Sequence, residues 1–185
     1  MLHEIVSGDG MNLAEKLHIY RSKYPAEGIK VHACMQLLEG GPECFMRDAF
    51  PGHFTGSAWT INKASTSTIL VLHRKLGKWV QPGGHADGEQ NLYLAARREL
   101  EEETGITASL CQGDDIFDID IHFIPAAGGE AAHHHYDIRF LFLALETSPL
   151  RVSDESRDIR WIRFDDLDQY TTEESILRMK TKCLH

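Results

Sequence analysis

The sequence predicts a mixed α+β domain in which helices cover both faces of a sheet, as an α/β/α layered arrangement. Three observations predict this fold: helical patterns at both ends of the chain, short strand patterns between residues 57 and 162, and one amphipathic helix among those strands. The chain has 185 residues, of which 42% are hydrophobic, and this is enough to bury the core of one domain.

Residues 1–44 are predicted to form a helical N-terminal extension. Asn12 can cap a first helix that stops before Pro25, because a proline cannot continue a helix. A second helical pattern covers residues 27–39. Residues 45–185 are then expected to form the main domain, including a C-terminal helix.

Five short segments rich in β-branched and aromatic residues are predicted to be strands. They comprise residues 57–62, 68–73, 115–123, 136–145 and 159–162. In the third segment polar and apolar residues alternate, which gives one face the side chains of Asp118, Asp120 and His122. A last helix is expected near Thr171, where Thr171 and Glu174 have the spacing of a capping box.

The central helix is predicted over residues 92–104, between the second and third strands. Asn91 is the expected N-cap, and Gly105 stands where a left-handed residue ends a helix. An apolar stripe at a spacing of four residues is expected to face the core. This stripe consists of Leu92, Ala96 and Leu100.

The opposite face of this helix concentrates acidic side chains. Glu99, Glu102 and Glu103 share that face, and they lie near the helix end where the backbone dipole is already negative. Arg98 can brace Glu102 with a bidentate contact, and a hard divalent cation such as Mg²⁺ or Mn²⁺ could offset the remaining charge. The alternative is an acidic helix face that is merely solvated.

A loop rich in glycine and proline, residues 79–88, leads into the helix and lets the backbone approach a ligand closely. From Gly84 to Ile106 the chain resembles the signature box of the Nudix hydrolase family. In that box a glycine, a fixed spacer, Arg-Glu, an aliphatic residue, two glutamates, a glycine and a second aliphatic residue follow in order. The matching residues are Gly84, Arg98, Glu99, Leu100, Glu102, Glu103, Gly105 and Ile106. Gln90 departs from the box, which normally has a glutamate there, although Glu89 is adjacent.

The resemblance implies a Nudix-type α/β/α sandwich with a mixed sheet, and a hydrolase that cleaves a pyrophosphate bond in a nucleoside diphosphate linked to another group. Carried over by position, Glu99 and Glu103 would be the principal ligands of Mg²⁺ or Mn²⁺. Glu102 would be a third ligand or the general base. Gly83 would offer its backbone carbonyl to the cation, and Arg98 would orient the glutamates.

The general base in this family often lies outside the box. Glu155 lies ahead of the last predicted strand and is the preferred candidate, with an ordinary solvated loop acid as the alternative. Glu130 is a weaker candidate.

The strands 115–123 and 136–145, if paired antiparallel, would bring polar side chains onto one face. On the second strand these side chains are His135, Asp137 and Arg139. Such a cluster can bind a transition metal or contact a substrate, and His135 and Arg139 are candidate substrate contacts. The alternative is a face whose charges pair with one another. Of the three consecutive histidines that precede the second strand, at most two can point to one side.

Three basic residues, Arg74, Lys75 and Lys78, flank Gly77 in a predicted hairpin, where they could contact substrate phosphates. Solvated turn residues are the alternative. The three tryptophans are expected to pack in the core or on the sheet.

The net charge of −9, from 19 basic and 28 acidic residues, argues against general binding to nucleic acids or anionic membranes. The chain opens without a secretory signal pattern, its apolar runs are too short to span a bilayer, and its four cysteines are scattered. We therefore expect a cytoplasmic protein whose partner is a small nucleotide-type diphosphate. Nudix proteins are often dimeric, so the resemblance leaves a homodimer open.

Two other functions stay open on sequence grounds. A non-catalytic Nudix module could bind a nucleotide and regulate a partner, but it has no need to retain a costly acidic cluster. A diphosphate isomerase, as in the isopentenyl diphosphate isomerases that share this fold, would need a cysteine near the metal site. No cysteine lies beside the box in the sequence.

Overall fold

The computed structural model describes residues 11–107, 110–127, 129 and 131–184. Four helices are named here: α1 (Leu13–Lys23), α2 (Gly28–Leu38), α3 (Leu92–Thr104) and α4 (Glu174–Cys183). Seven strands are named: β1 (Gly52–Asn62), β2 (Ser67–His73), β3 (Trp79–Val80), β4 (Gly83–His85), β5 (Leu110–Ile124), β6 (His133–Ala144) and β7 (Ser156–Arg163). In the described part of the chain, no helix combines the length and apolarity needed to cross a membrane.

The seven strands form one mixed sheet. Its main path runs β3-β2-β1-β6-β5, while β4 pairs with β1 and β7 pairs with β2. Only the β1–β6 pair is parallel, and the other pairs are antiparallel. The predicted antiparallel pairing of the third and fourth strand segments is confirmed, since Asp118 faces Arg139 and His122 faces His135.

Helices cover both faces of the sheet, which confirms the α/β/α class. Phe54 and Phe140 belong to the core cluster that includes residues of α1, α2 and α3. Trp59 belongs to the cluster that packs against Met179 of α4. Because successive residues of a strand point to opposite faces, β1 contributes to both layers.

Helix α3 packs directly on β1, which fixes the acidic face relative to the sheet. A Cβ placed on Gly56 would lie 2.7 Å from the carbonyl oxygen of Leu92, so only glycine permits this approach. The predicted apolar stripe is confirmed, since Leu92, Ala96 and Leu100 are all buried. The expected left-handed residue is also found, with Gly105 at a φ of 73°.

The helical extension shares a core with the sheet. Leu17 and Tyr20 of α1 and Val31 and Cys34 of α2 are buried in the same cluster as Phe54. The capping box at Asn12 and Glu15 that begins α1 is present. The predicted boundary at residue 44 therefore does not separate two cores.

Two predicted helix starts differ in their capping. Helix α3 begins after Asn91 as predicted, but the Asn91 side chain makes no capping hydrogen bond, and only the backbone carbonyl of Asn91 accepts, from the N–H of Leu94. At α4 the predicted capping box is wrong, because the side chain of Thr171 accepts from the N–H of Glu173. The preceding 3-10 turn, Phe164–Gln169, ends with the N–H of Thr171 bonded to Leu167, so α4 begins only at Glu174.

Candidate active site

The acidic face of α3 meets β4 across two glycines. The backbone N–H of Gly83 donates to Oε1 of Glu103 at 3.2 Å. A Cβ on Gly84 would lie only 2.6–2.8 Å from the carboxyl atoms of Glu99, so the absence of a side chain at this position makes room for that carboxylate. Glu103 is buried, Glu99 is partly buried and Glu102 is exposed. Three carboxylates at different depths therefore line one small region beside β4.

The surroundings of these glutamates disfavour their ionised forms. The pKa of Glu103 is raised to about 7, chiefly by burial; the hydrogen bond from the N–H of Gly83 lowers it, and the negative charges of Glu99, Glu155 and Glu102 raise it. Burial also raises the pKa of Glu99, although Arg98 acts in the opposite direction. Such a donor set of hard oxygen atoms with raised pKa values suits a divalent cation.

Arg98 braces a different glutamate from the one predicted. Its Nη2 donates to Oε1 of Glu99 at 2.9 Å and to the carbonyl oxygen of His85 at 2.8 Å. The prediction of a bidentate contact between Arg98 and Glu102 is therefore wrong. The hydrogen bond to the carbonyl oxygen of His85 holds the Arg98 guanidinium on the side of the helix where Glu99 lies. Glu102 is exposed to solvent.

Glu89, the neighbour of the departing Gln90, is engaged at the start of α3. Its Oε1 accepts from the backbone N–H of Asn91 at 2.8 Å. This contact satisfies the N–H of Asn91 itself, one of the donors that a helix start leaves unpaired.

The loop that carries Glu155 reaches the acidic region. Glu155 is exposed, and its charge raises the pKa of both Glu99 and Glu103, which places its carboxylate near theirs. Arg74 holds this loop: its side chain donates to the carbonyl oxygens of Asp154 at 2.9 Å and Ser156 at 3.0 Å. Glu130, the weaker candidate for the base, lies outside the described residues.

The predicted basic hairpin joins β2 and β3. Gly77 has a φ of 64°, and its N–H donates to the carbonyl oxygen of His73. Lys75 is exposed at the tip of the hairpin. Lys78 instead bonds Glu173 at 2.6 Å, so it ties the hairpin to the start of α4.

The polar face across β5, β6 and β1 begins with an ionic cluster. Arg139 is only 3% exposed, and it donates to Asp137 at 2.7 Å and lies 3.3 Å from Asp120. Thr55 and Ser57 of β1 also donate to Asp137. The carboxylates that surround Arg139 match the alternative in which the charges of this face pair with one another, and a contact between Arg139 and a substrate stays a prediction.

The ionic cluster also includes side chains of α4, a contact that was not predicted from the sequence. Asp118 is fully buried and accepts from Arg178 at 2.8 Å and Lys182 at 2.7 Å. Lys182 also contacts Glu27 at 2.6 Å. The spacing of Arg178 and Lys182, four residues apart on an amphipathic helix, is the signal that could have indicated their shared face.

Next to the ionic cluster, the same face of the sheet carries several histidines. His135 lies opposite His53 of β1, and His85 of β4 is adjacent, with ring centroids 4.8 Å (His53–His135) and 5.1 Å (His53–His85) apart. His133 is also on this side, whereas His134 contacts Phe123. Two of the three consecutive histidines therefore point the same way, as predicted. His53 and His85 were missed because they come from strands distant in sequence.

The described tryptophan side chains pack rather than present a free ring. Trp59 is fully buried and stacks on Phe164. Trp79 contacts Tyr170 edge-on at 5.5 Å, and Arg160 lies over its ring.

Comparison with known proteins matches most of the chain to one family model. The model described as "NUDIX domain" matches residues 55–180. The matched region begins within β1 and ends within α4, so it includes the acidic face of α3, the β4 glycines and the loop of Glu155.

Solved structures give the same picture. A Burkholderia pseudomallei MutT NUDIX hydrolase is 26% identical, with a TM-score of 0.54 over 69% of this chain and 95% of that one. A C. elegans Ap4A hydrolase in a binary complex is 20% identical, with a TM-score of 0.56 over 70% and 93%. The NUDIX domain of Shewanella oneidensis NrtR, complexed with ADP ribose, is 18% identical, with a TM-score of 0.52 over 71% and 85%. The similarity to the last two concerns the fold.

Proposed function

The chain belongs to the NUDIX domain family, and on that premise we propose that it is a metal-dependent hydrolase that cleaves a pyrophosphate bond in a nucleoside diphosphate linked to another group. The observation that carries this proposal is that Glu99 and Glu103 lie against the β4 glycines, with Glu102 and Glu155 near enough to raise the pKa of Glu103. Burial and, less strongly, the neighbouring acids disfavour the ionised form of Glu99 and Glu103, so a cation would stabilise their charges, and a pyrophosphate substrate is anionic as well. Both charges can be offset by one divalent ion.

The carboxylates fit Mg²⁺ or Mn²⁺ better than softer metals, because their ligands are hard oxygen atoms. Glu99 and Glu103 are the proposed principal ligands, with Glu102 as a third ligand and the carbonyl of Gly83 as a backbone ligand. When bound, the cation supplies charge neutralisation of the pyrophosphate and lowers the pKa of the attacking water. Arg98 holds Glu99 against β4, so it sets the orientation of that ligand.

We infer that the proton of the attacking water passes to Glu155 or Glu102. Both side chains are exposed, so each can reach a water molecule that the buried Glu103 cannot. Arg74 fixes the loop of Glu155 and thereby positions that carboxylate, and Lys75 at the neighbouring hairpin tip is the proposed phosphate contact. His135 stays a proposed contact for the rest of the substrate.

The proposed substrate is a small nucleotide-type diphosphate. The C. elegans and Shewanella structures are named for Ap4A hydrolysis and for an ADP ribose complex, and such molecules contain the linkage in question. With a net charge of −9, the protein is expected to bind them poorly unless a divalent cation accompanies them.

The isomerase alternative loses support from the cysteines whose side chains are described. Cys34 and Cys44 are buried in the core cluster beneath α1 and α2, and burial raises the pKa of both thiols. Cys183 accepts a hydrogen bond from Trp59 on the α4 side of the sheet. The regulatory alternative predicts nucleotide binding without turnover, so the same assay decides it.

The test is a panel of ADP-ribose, dinucleoside polyphosphates and nucleotide sugars, incubated with purified protein and Mg²⁺. Release of two phosphorylated products from at least one compound is expected. Glu103→Gln should lower kcat by at least about 100-fold, more than the loss of a residue that only orients a ligand. Glu101→Gln, on the same helix but exposed to solvent, is the matched control and should keep full activity.

Two further variants separate the candidates for the base. Glu155→Gln is expected to lower kcat with little change in KM, and to remove the acidic limb of the pH–rate profile. If Glu102→Gln does so instead, Glu102 is the base. Turnover that survives in Glu103→Gln would contradict the proposed function itself.

A further inference from the structure

Three histidines from different strands meet on the sheet face opposite α3. His53 of β1, His85 of β4 and His135 of β6 each offer a ring nitrogen, and these atoms lie within 4.8 Å of one another. Strand register explains the meeting, because His53 pairs with His135 while His85 pairs with Thr55, two residues along β1. Of this His triad (His53, His85 and His135), only His135 has a part in the proposed function, as a contact for the rest of the substrate, and none of the three is a proposed ligand of the cation at the glutamates.

His53 is the unusual member of the His triad. It is 0% exposed, and neither ring nitrogen has a hydrogen-bond partner among the residues that the structure describes. The backbone of Ala49 lies close enough to affect the pKa of the ring, but not in hydrogen-bond geometry. A buried polar group without a partner is costly, so its presence indicates a ligand that would supply one.

The chemistry of the cluster selects the class of ligand. Burial and the neighbouring rings lower the pKa of His53 to about 4 and also lower that of His135, so both are neutral. Neutral imidazoles attract a phosphate weakly, but they offer lone pairs to a metal ion. Imidazole donors suit Zn²⁺, Cu²⁺, Ni²⁺ and Fe²⁺, whereas Mg²⁺ prefers oxygen.

We propose that the His triad binds one transition-metal ion of the Zn²⁺ type, at a site separate from the glutamates. Zn–N bonds of about 2.0–2.1 Å place tetrahedral ligand atoms about 3.4 Å apart, so the ring nitrogens, which lie within 4.8 Å of one another, must close by up to about 1.4 Å. His85 and His135 are only partly buried and can rotate to do so. Three histidines with one open position are typical of a zinc site that accepts water or a substrate atom.

A further histidine, His133, lies near the His triad and could fill the fourth coordination position of the metal ion. Nε2 of His133 lies 3.2 Å from Nε2 of His135, and its Nδ1 lies 2.8 Å from the carbonyl oxygen of Ala131. A metal-bound histidine commonly donates its other ring nitrogen to such a carbonyl. His133 is therefore the residue that would complete a four-ligand site if water does not.

The two metal sites share β4 but not a face of the sheet. Gly84 adjoins Glu99 on the side of α3, and the next residue, His85, points the other way. The carbonyl oxygen of His85 accepts from Arg98, which holds Glu99. Their donor atoms differ, so one site selects a hard cation and the other a borderline one.

The test uses untagged, chelator-treated protein, dialysed against Zn²⁺ in excess Mg²⁺ and then analysed for metal. One retained equivalent of Zn²⁺ is expected for the wild type, and none for His85→Gln or His135→Gln. His134→Gln, next to the site but against Phe123, is the matched control and should retain the full equivalent. Glu103→Gln should also retain it, which separates this site from the acidic one.

A second readout covers variants that fail to fold. Wild-type protein loaded with Co²⁺ in place of Zn²⁺ should show the intense visible absorption of a tetrahedral nitrogen-ligated ion. That absorption should persist in His134→Gln. A wild type that retains no Zn²⁺ and shows no such absorption overturns the proposal, as does full retention by folded His85→Gln and His135→Gln.

Discussion

At the scale of single residues, Glu103 is buried and lies near three other acidic side chains. It is 7% exposed, and its pKa is raised to about 7. The sequence predicted the shared face of Glu99, Glu102 and Glu103 from helical spacing alone. It could not predict their depths, which depend on how closely α3 approaches β1 and β4, and for the same reason it assigned Arg98 to the wrong glutamate.

We expect Glu103→Gln to stabilise the metal-free protein at pH 8. An ionised carboxylate whose pKa is raised from 4.5 to about 7 destabilises the folded state, and replacing it should recover about 1–3 kcal/mol. Gln can still accept from the N–H of Gly83. Urea unfolding in chelator measures this change. In excess Mg²⁺ the order should reverse, since only the wild type gains stability from the ion. A variant that is less stable than the wild type in chelator would contradict this account of the charge.

Gly84→Ala tests the space beside Glu99. The added methyl group would lie within 2.8 Å of the carboxyl atoms, so the carboxylate must move away from its place beside β4. We expect the Mg²⁺ concentration for half-maximal activity to rise about 10–100-fold, with the fold retained. Gly28→Ala is the control, because its Cβ would meet nothing closer than 3.8 Å. Equal Mg²⁺ dependence in both variants would show that Glu99 does not need this position.

At the scale of elements, strand pairing was predictable, whereas the side-chain caps of α3 and α4 were not. Alternation of polar and apolar residues predicted that β5 and β6 share a polar face, and the register bears this out at Asp118 and Arg139. Strands β3 and β4 have two and three residues, too few to produce a periodic pattern. The start of α4 was misplaced because the preceding 3-10 turn takes the N–H of Thr171.

The contact between Glu27, just before α2, and Lys182 of α4 gives a stability that depends on pH in the acidic range. Burial alone would raise the pKa of Glu27, but hydrogen bonds from Lys182 and Lys30 outweigh it and lower the pKa from 4.5 to about 2. The ionised form is therefore stabilised by folding. This stabilisation is fully present above pH 4.5 and is lost as the pH falls through about 2.

Glu27→Gln should cost about 1–3 kcal/mol at pH 7, as expected for charge-assisted hydrogen bonds. The difference from the wild type should shrink as the pH falls from 5 toward 2. Denaturant unfolding across that range measures it, with Glu39→Gln at the exposed end of α2 as the control. A constant difference at every pH would show that the charge of Glu27 is irrelevant.

At the scale of the whole molecule, the N-terminal helices and the sheet form one unit. The family model begins at residue 55, yet Leu17 of α1 is fully buried in the cluster that also holds Leu100 of α3. Sequence patterns predicted the helices but not this packing, because nothing in a helical pattern says which surface it meets.

Leu17→Ala should therefore destabilise the entire protein by about 2–5 kcal/mol, in one cooperative transition. Leu76→Ala, at the hairpin tip with 60% of its side chain exposed, should change the free energy of unfolding by less than about 0.5 kcal/mol. Circular dichroism and tryptophan fluorescence, followed during denaturant unfolding, measure both. Two separate transitions, with only the first affected by Leu17→Ala, would mean that the helices fold independently.

The central claim is that the carboxylates beside β4 hold a divalent cation that makes pyrophosphate cleavage possible. The most direct measurement is the rate of product release from the best compound of the panel as Mg²⁺ is added to chelator-treated protein. The account predicts no release without Mg²⁺, a saturable rise in the wild type and in Glu101→Gln, and at least about 100-fold less in folded Glu103→Gln. Release that does not depend on Mg²⁺, or a wild-type rate in Glu103→Gln, would contradict it.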